Sequence, residues 1–284
     1  MTVRSVLGQA QRRLAAAGVA SPRADAEQLL AHVLGVARGR LLVTDSPGEL
    51  DRQRYDQLIT RRAAREPLQH LTGKAAFRHV DLCVGPGVFV PRPETELLAG
   101  WAAQSLQQTQ DDGVDEPVAV DLCTGSGAIA AALADEVPSA RLHAVELSPR
   151  AYGYAEHNLR DTGVDIRLGD IAEACTDLDG LVDVVVANPP YIPTAVFEGV
   201  DIESRTYDPA VALWSGADGL DAIRAVERAG ARLLRPGGVL GCEHADVQGE
   251  SVPAIFRAAQ RWSDVRDHVD LNGRPRFTTA RRRP

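Results

Sequence analysis

Residues 182–187, Val-Asp-Val-Val-Val-Ala, form a short run that is apolar at all but one position. Alternating polarity would mark a sheet with one wet face. A near-continuous run instead predicts a strand covered on both faces, as in parallel sheets. Strands are predicted at 118–122, 141–146, 164–168, 182–187 and 238–243, with helices near 94–106, 127–136, 149–161, 219–234 and 248–260. Parallel strands need crossovers, and strand–helix alternation supplies them, so the fold class is α/β: a doubly wound, mostly parallel sheet. Residues 264–281 read as two further strands joined at Asn272-Gly273, a hairpin signal, so an antiparallel hairpin should end that sheet.

The first 74 residues follow another pattern. Val3, Val6, Leu7, Ala10 and Leu14 share one helical face, and Gly18 is placed to end that helix. Ser21-Pro22 is an N-cap followed by proline at the first helical position, and Gly35 closes this second helix. A third helix is expected from Glu49 to Arg65, stopped by Pro67 and carrying Arg52, Arg54, Arg61, Arg62 and Arg65. Residues 1–74 therefore read as a small helical bundle domain, 75–90 as a β-hairpin linker turning at Gly85-Pro86-Gly87, and 91–284 as the α/β domain.

Composition excludes several classes. With 44% hydrophobic and 25% charged residues the chain is neither disordered nor fibrous. A formal net charge of −8 argues against a protein that coats nucleic acid, but the charge is unevenly spread. Residues 1–80 hold 13 basic and 7 acidic residues, a net +6, and the remainder holds 18 and 32, a net −14. Two units with different partners would account for that, as would chance variation on solvated surfaces. Cys83, Cys123, Cys175 and Cys242 lie far apart with no Cys-x-x-Cys pair, so neither a metal site nor a disulfide framework is expected, and a reducing, cytoplasmic setting fits. The arginine-bearing N-terminus lacks the apolar core of a secretory signal, and no run approaches the ~20 apolar residues of a membrane helix.

The first predicted strand runs into Asp121-Leu122-Cys123-Thr124-Gly125-Ser126-Gly127-Ala128-Ile129-Ala130, followed by a helix. Glycines let a ligand approach the backbone, and the helix N-terminus favours negative charge. Gly125-x-Gly127-x-x-Ala130 satisfies a dinucleotide fingerprint, and Glu146 ends the next strand where an acid would hold ribose hydroxyls, so NAD is a competing ligand. Asp121 tilts the reading towards S-adenosylmethionine. A carboxylate beside the loop repels a pyrophosphate and attracts the ammonium of a methionine moiety.

After the fourth strand comes Asn188-Pro189-Pro190-Tyr191, where open α/β sheets bind ligands. Two prolines stiffen the backbone and remove two donors, leaving carbonyl acceptors. Asn188 adds a side-chain carbonyl and Tyr191 a flat face for stacking on a planar group. The set suits an –NH₂ on a conjugated system, such as a glutamine amide or an adenine amine. Asn188 and Pro189 would accept its hydrogens, aim its lone pair and stabilise positive charge growing on nitrogen, with no general base needed before attack.

Those motifs, with Arg65-Glu66-Pro67-Leu68-Gln69-His70-Leu71-Thr72-Gly73, Val90-Pro91-Arg92-Pro93-Glu94-Thr95-Glu96 and Glu243-His244, resemble the bacterial protein-(glutamine-N5) methyltransferases that modify peptide-chain release factors. The resemblance spans essentially the whole chain, and the Pro-Arg-Pro-Glu-Thr-Glu segment is its most specific part. It implies a class I S-adenosylmethionine-dependent fold and methyl transfer to the glutamine of a Gly-Gly-Gln loop, with S-adenosylhomocysteine as product. By position, Asp121, Cys123, Thr124, Gly125, Ser126, Gly127, Glu146, Asp170, Ile171 and Asn188 would hold the cofactor. Asn188, Pro189 and Tyr191 would be catalytic, and Asn188, Pro189, Pro190, Tyr191, Arg92 and Glu94 would bind substrate. No metal is implied. Cys123 stands where the family usually has glycine, and Ile171 where an aromatic is frequent.

Arg92, Glu94 and Glu96 are read as an ion-paired cap over the cofactor, though a charged helix start accounts equally for the acids. His244 reads as a structural hydrogen-bonding residue, and Trp214 as packing a loop at 193–219 that is functional by its length. The expected partner is a release factor, recruited by the basic bundle, to a monomer without direct nucleic-acid or membrane contact. Three other readings compete: a DNA or RNA adenine amino-methyltransferase, which the −14 of residues 81–284 disfavours; an NAD-dependent reductase; and a cofactor-binding sensor without turnover.

Overall fold

The computed structural model describes residues 2–199 and 201–284, the side chain of Phe197 aside. It divides into two compact units, Met1–Lys74 with Asp201–Tyr207, and Ala75–Val200 with Asp208–Pro284.

In the first unit, helices α1 (Val3–Ala16), α2 (Pro22–Leu34), α3 (Glu49–Ala63) and the short α4 (Leu68–Thr72) surround a core built on Leu14, Leu29, Leu30, Leu41 and Ile59. The apolar face of α1 is buried as the spacing predicts, at Val3, Val6, Ala10 and Leu14. Thr2 caps α1 through its side chain, whereas Ser21 precedes α2 without a side-chain cap bond. Helix α3 stops two residues earlier than predicted. Arg65 takes a left-handed φ of 70°, so the chain has turned before Pro67 is reached.

A two-stranded hairpin, β1 (Lys74–Phe77) and β2 (Val80–Cys83), starts at the last residue of the first unit and otherwise belongs to the second. Its turn is Arg78-His79, with Arg78 at φ 49°; Gly85-Pro86-Gly87 follows the hairpin rather than closing it. Next come α5 (Thr95–Asp111), β3 (Val118–Leu122), α6 (Ala128–Glu136), β4 (Arg141–Glu146), α7 (Pro149–Leu159), β5 (Asp165–Leu168) and β6 (Val182–Ala187). Helix α5 outruns the predicted 94–106 because its last turn, Gln107 to Asp111, is polar and has no apolar period to read. Helix α8 (Ile202–Tyr207) belongs to the first unit, and α9 (Asp221–Leu233), β7 (Leu234–Glu243), α10 (Ser251–Ala258), β8 (Trp262–Val269) and β9 (Pro275–Arg282) complete the second.

The seven-stranded sheet has the order β5-β4-β3-β6-β7-β9-β8, parallel through β7, with β9 antiparallel to both β7 and β8. Asn272-Gly273 lies in the final connection, as predicted. Strand β7 starts four residues before the predicted 238 because Pro236 is accommodated where the β6–β7 register shifts, at an irregularity that tolerates a missing donor. The single acid inside β6, Asp183, is satisfied by the Val118 amide at 2.7 Å and Arg235 Nε at 2.5 Å. The strands feed two cores. Ala119, Val184 and Val186 face α5, α6 and α7, and Val120, Leu122 and Val185 face α9 and α10.

Candidate active site

Register aligns the strand ends that build the site. Leu122 pairs with Val145 and Ala187, Glu146 with Leu168, and Ala187 with Cys242. The residues that follow, Cys123–Gly127, Gly169-Asp170, Asn188 and Glu243 with Glu146, therefore emerge along one edge. After β3 the chain adds β4 and β5 on one side, then crosses to place β6 on the other. That reversal opens a crevice where ligands bind in such sheets.

Asp121 is buried at the end of β3, 2% exposed. Its Oδ2 accepts from Thr124 Oγ1 at 2.5 Å and from the Ala130 amide at 3.2 Å, while Oδ1 makes no hydrogen bond among the described residues. Burial pushes its pKa up to about 7, against these two donors, and the nearby Glu146 adds to the rise. A buried carboxylate oxygen without a partner is costly unless a donor or cation meets it. An ammonium group fits that position and a pyrophosphate does not.

The loop turns sharply, with Cys123, Gly125 and Gly127 at φ 61°, 60° and 83°. A β-carbon on Gly127 would stand 3.0 Å from Leu159 Cγ and Cδ1, whereas one on Gly125 meets nothing within 4 Å. Gly127 thus serves close packing of the loop on α7, and Gly125 faces open space. Cys123 keeps its side chain in the left-handed region, where a β-carbon costs roughly 1–2 kcal/mol. This is why glycine suits the position. Its thiol packs against the α9-side core, and burial, aided by Glu146, Asp121 and Asp170, raises its pKa and keeps it protonated.

Glu146 holds the loop to β4: Oε2 accepts from the Gly125 amide and Oε1 from the Ser148 amide, both at 2.8 Å. Burial raises its pKa despite these donors. The Leu147 amide also faces it; a carboxylate offers about four acceptor positions, so acceptor capacity remains for a hydroxyl donor. Asp170 is exposed, with Oδ1 taking the Ala172 amide at 2.9 Å, and Ile171 is buried in the α9-side core.

At the end of β6, Asn188 Nδ2 donates to Thr95 Oγ1 at 3.1 Å. Asn188 Oδ1 and the Pro189 carbonyl receive no hydrogen bond from the described residues. They are the two acceptors that the sequence assigns to an incoming –NH₂. Tyr191 is half-buried beside Glu243, and burial raises its pKa, so it stays a neutral phenol. Gln248 Nε2 anchors the Tyr191 carbonyl at 3.0 Å, and Gly219 approaches so closely that a β-carbon there would lie 2.5 Å from the same oxygen.

The proposed ion-paired cap is not formed as read. Arg92 pairs with Asp208 at 2.7 Å and lies over the Phe89 ring at 4.8 Å, while Glu96 accepts from the Arg78 amide at 3.2 Å. The aromatic face and the buried carboxylate outcompete the helix-start acids for the guanidinium. Both ring nitrogens of the fully buried His244 are engaged at 2.9 Å, by the Ala245 carbonyl and by Asp267, which leaves it no site for a substrate proton. Among the described residues, no cluster of three or more His, Cys, Asp or Glu could hold a metal.

Sequence reasoning missed four residues of this region. Thr95 lies inside the quoted Pro-Arg-Pro-Glu-Thr-Glu segment, the signal that could have exposed it. Asp208, Gly219 and Gln248 carry no local pattern that distinguishes them.

Comparison with known proteins decides the family. Residues 5–73 match the PrmC N-terminal domain, and residues 95–200 match the methyltransferase small domain. The release factor glutamine methyltransferase of Streptomyces coelicolor is 56% identical over 97% of this chain and 96% of its own length. The chain belongs to the release factor glutamine methyltransferase family. A member from Mycolicibacterium smegmatis is 47% identical over 99% of this chain and 98% of its own. The 4-amino-L-phenylalanine/4-methylamino-L-phenylalanine methyltransferase of Streptomyces pristinaespiralis is 42% identical over 95% and 92%. This member's fold is the α/β sheet described above, and no described helix is long and apolar enough to cross a membrane.

Proposed function

We propose that this enzyme transfers a methyl group from S-adenosylmethionine to the side-chain amide nitrogen of the glutamine in the Gly-Gly-Gln loop of peptide-chain release factors. The observation that carries the reading is the Asn188 amide, whose Nδ2 is taken by Thr95 so that Oδ1 and the Pro189 carbonyl are left as paired acceptors. When bound, S-adenosylmethionine supplies an electrophilic methyl group on a sulfonium. The unpartnered Asp121 oxygen would hold its ammonium, Glu146 its ribose hydroxyls, and the loop Cys123, Thr124, Gly125, Ser126 and Gly127 would cradle the rest, with Asp170 and Ile171 towards the adenine.

An amide nitrogen is a poor nucleophile because its lone pair is delocalised. Asn188 and Pro189 accept its two hydrogens, fix its orientation and favour positive charge as it develops there. Pro190 keeps the backbone rigid, and Tyr191 presents its ring to the planar amide. No base is needed before attack; the surplus proton leaves afterwards. Arg92 and Glu94 are assigned to the substrate side, with Arg92 acting from its Asp208 pair.

The helical unit is proposed to recruit the release factor. Of the five α3-region arginines, Arg52, Arg61, Arg62 and Arg65 are paired with Glu49, Glu66, Asp25 and Glu203, so the recruiting charge does not rest on that cluster. Arg4, Arg12, Arg40 and Arg54 are exposed without a carboxylate partner among the described residues, and Leu42 and Val43 are exposed apolar neighbours of Arg40.

The Streptomyces pristinaespiralis relative, named for an aromatic amine, motivates a second reading, a small arylamine substrate with the same conjugated –NH₂. Competition in one vessel tests both. With labelled cofactor, release factor and 4-amino-L-phenylalanine together, label should enter the protein; label confined to the small amine would reverse the assignment.

A further inference from the structure

Glu243 ends β7, is 1% exposed, and has no part in the chemistry set out above. Its surroundings tie it to both functional side chains of Asn-Pro-Pro-Tyr. Thr95, the first residue of α5 and 4% exposed, receives Asn188 Nδ2 at 3.1 Å and places the same hydroxyl beside Glu243. Tyr191 places its phenol beside Glu243 from the opposite end of the tetrapeptide. Glu243 Oε2 makes no hydrogen bond of its own among the described residues.

Direction follows from donor count. An ionised carboxylate is acceptor-only, so a hydroxyl beside it turns its hydrogen towards it. The Thr95 oxygen is then left as an acceptor and must face the Asn188 –NH₂ rather than its carbonyl. A hydroxyl free to rotate could equally donate to Asn188 Oδ1, and the amide could flip. We propose that Thr95 and Glu243 are positioning residues: the carboxylate polarises Thr95, which locks the Asn188 amide with Oδ1 towards substrate, and it fixes the Tyr191 ring by its hydroxyl. The proposal rests on the glutamine-methyltransferase reading and extends it to two residues that touch neither substrate nor cofactor in it.

The charge state of Glu243 matters to this relay. Burial moves its pKa up to about 7, with Glu94 adding to the rise, while Thr95, Arg276 and Tyr191 oppose it. Arg92 and Glu94 act on the adjoining Tyr191. Turnover at saturating cofactor should therefore climb as pH rises through about 7, when the carboxylate ionises. Glu243→Gln, which keeps shape and loses charge, should flatten that limb.

The decisive experiment is a double-mutant cycle on the full chain with a release factor as acceptor. Thr95→Val should lower kcat about tenfold, the scale of one lost hydrogen bond, with cofactor Kd unchanged, and Thr95→Ser should restore it. In an Asn188→Ala background Thr95→Val should cost nothing further, because the amide it orients is gone. Thermal melts confirm that each variant is folded. Equal losses in both backgrounds, no loss on Thr95→Val, or an unchanged pH profile in Glu243→Gln would overturn the relay while leaving the enzyme's activity standing. Absence of glutamine transfer by the wild-type protein would instead overturn the reading beneath it.

Discussion

Asp121 and Asn188 divide the proposed labour. Asp121 meets charge that is present before the reaction, and Asn188 meets charge that grows during it. Asn188→Ala should therefore lower kcat by about 100-fold or more, the usual scale for a lost transition-state contact, and leave cofactor affinity nearly untouched. Steady-state kinetics with a separate calorimetric Kd checks this; equal losses in both would contradict it. Asp121→Asn should do the reverse and weaken cofactor binding about tenfold or more, as expected for a charge-assisted contact. The sign of the pH effect follows. The free carboxyl titrates at about 7, and a cation beside it lowers that value, so binding releases a proton near neutrality and tightens as pH rises through 7. Titrations in buffers of different ionisation enthalpy should show that proton, and the Asn variant should lose it.

Elements, more than single residues, were legible. The apolar β3 and β6, the glycine loop between β3 and α6, and the Asn-Gly hairpin announce themselves because each obeys a local rule of period or turn chemistry. The Arg78-His79 turn does not, since it has neither glycine nor asparagine to mark its left-handed residue. Nor does the α5 C-terminus, which is polar throughout. In the site, the loop and the tetrapeptide could be named from sequence, but Thr95 and Glu243 acquire meaning only when α5 and β7 bring them to Asn188 and Tyr191. The wrong partner for Arg92 has the same origin: Asp208 is 116 residues away, and near acids looked sufficient. The loop itself offers a test of packing. Gly127→Ala combines a φ of 83° with a β-carbon against Leu159, so it should destabilise by about 1–2 kcal/mol and loosen cofactor binding, read by urea unfolding and calorimetry.

At the scale of the molecule, the first unit gathers a segment distant in sequence. Buried Arg62 bonds Asp25 at 2.7 Å and Glu203 of α8 at 2.9 Å, and Arg65 joins the same Glu203 oxygen at 2.9 Å. Tyr207 adds a bond to the Ala64 carbonyl at 3.2 Å. Within the first unit, Asp201–Tyr207 is thus held on the helices by an ion network that no local pattern predicts. Removing one member of a buried network strands its partners at a cost of about 3–5 kcal/mol. Arg62→Ala should accordingly lower the urea midpoint, whereas Arg62→Met combined with Asp25→Leu should recover much of the loss. The charge contrast between residues 1–80 and the rest, +6 against −14, belongs to this scale as well. Recruitment through the exposed arginines predicts that KM for the release factor rises with ionic strength while kcat stays level. A salt-independent KM would remove charge from that account.

The central claim is the identity of the methylated atom. The protein should be incubated with S-adenosylmethionine carrying an isotopically labelled methyl group and a release factor, and the product digested and sequenced by mass spectrometry. The label should lie on the side-chain nitrogen of the Gly-Gly-Gln glutamine, and replacing that glutamine should abolish it. Label on any other residue, or label undiminished by the replacement, would contradict the account.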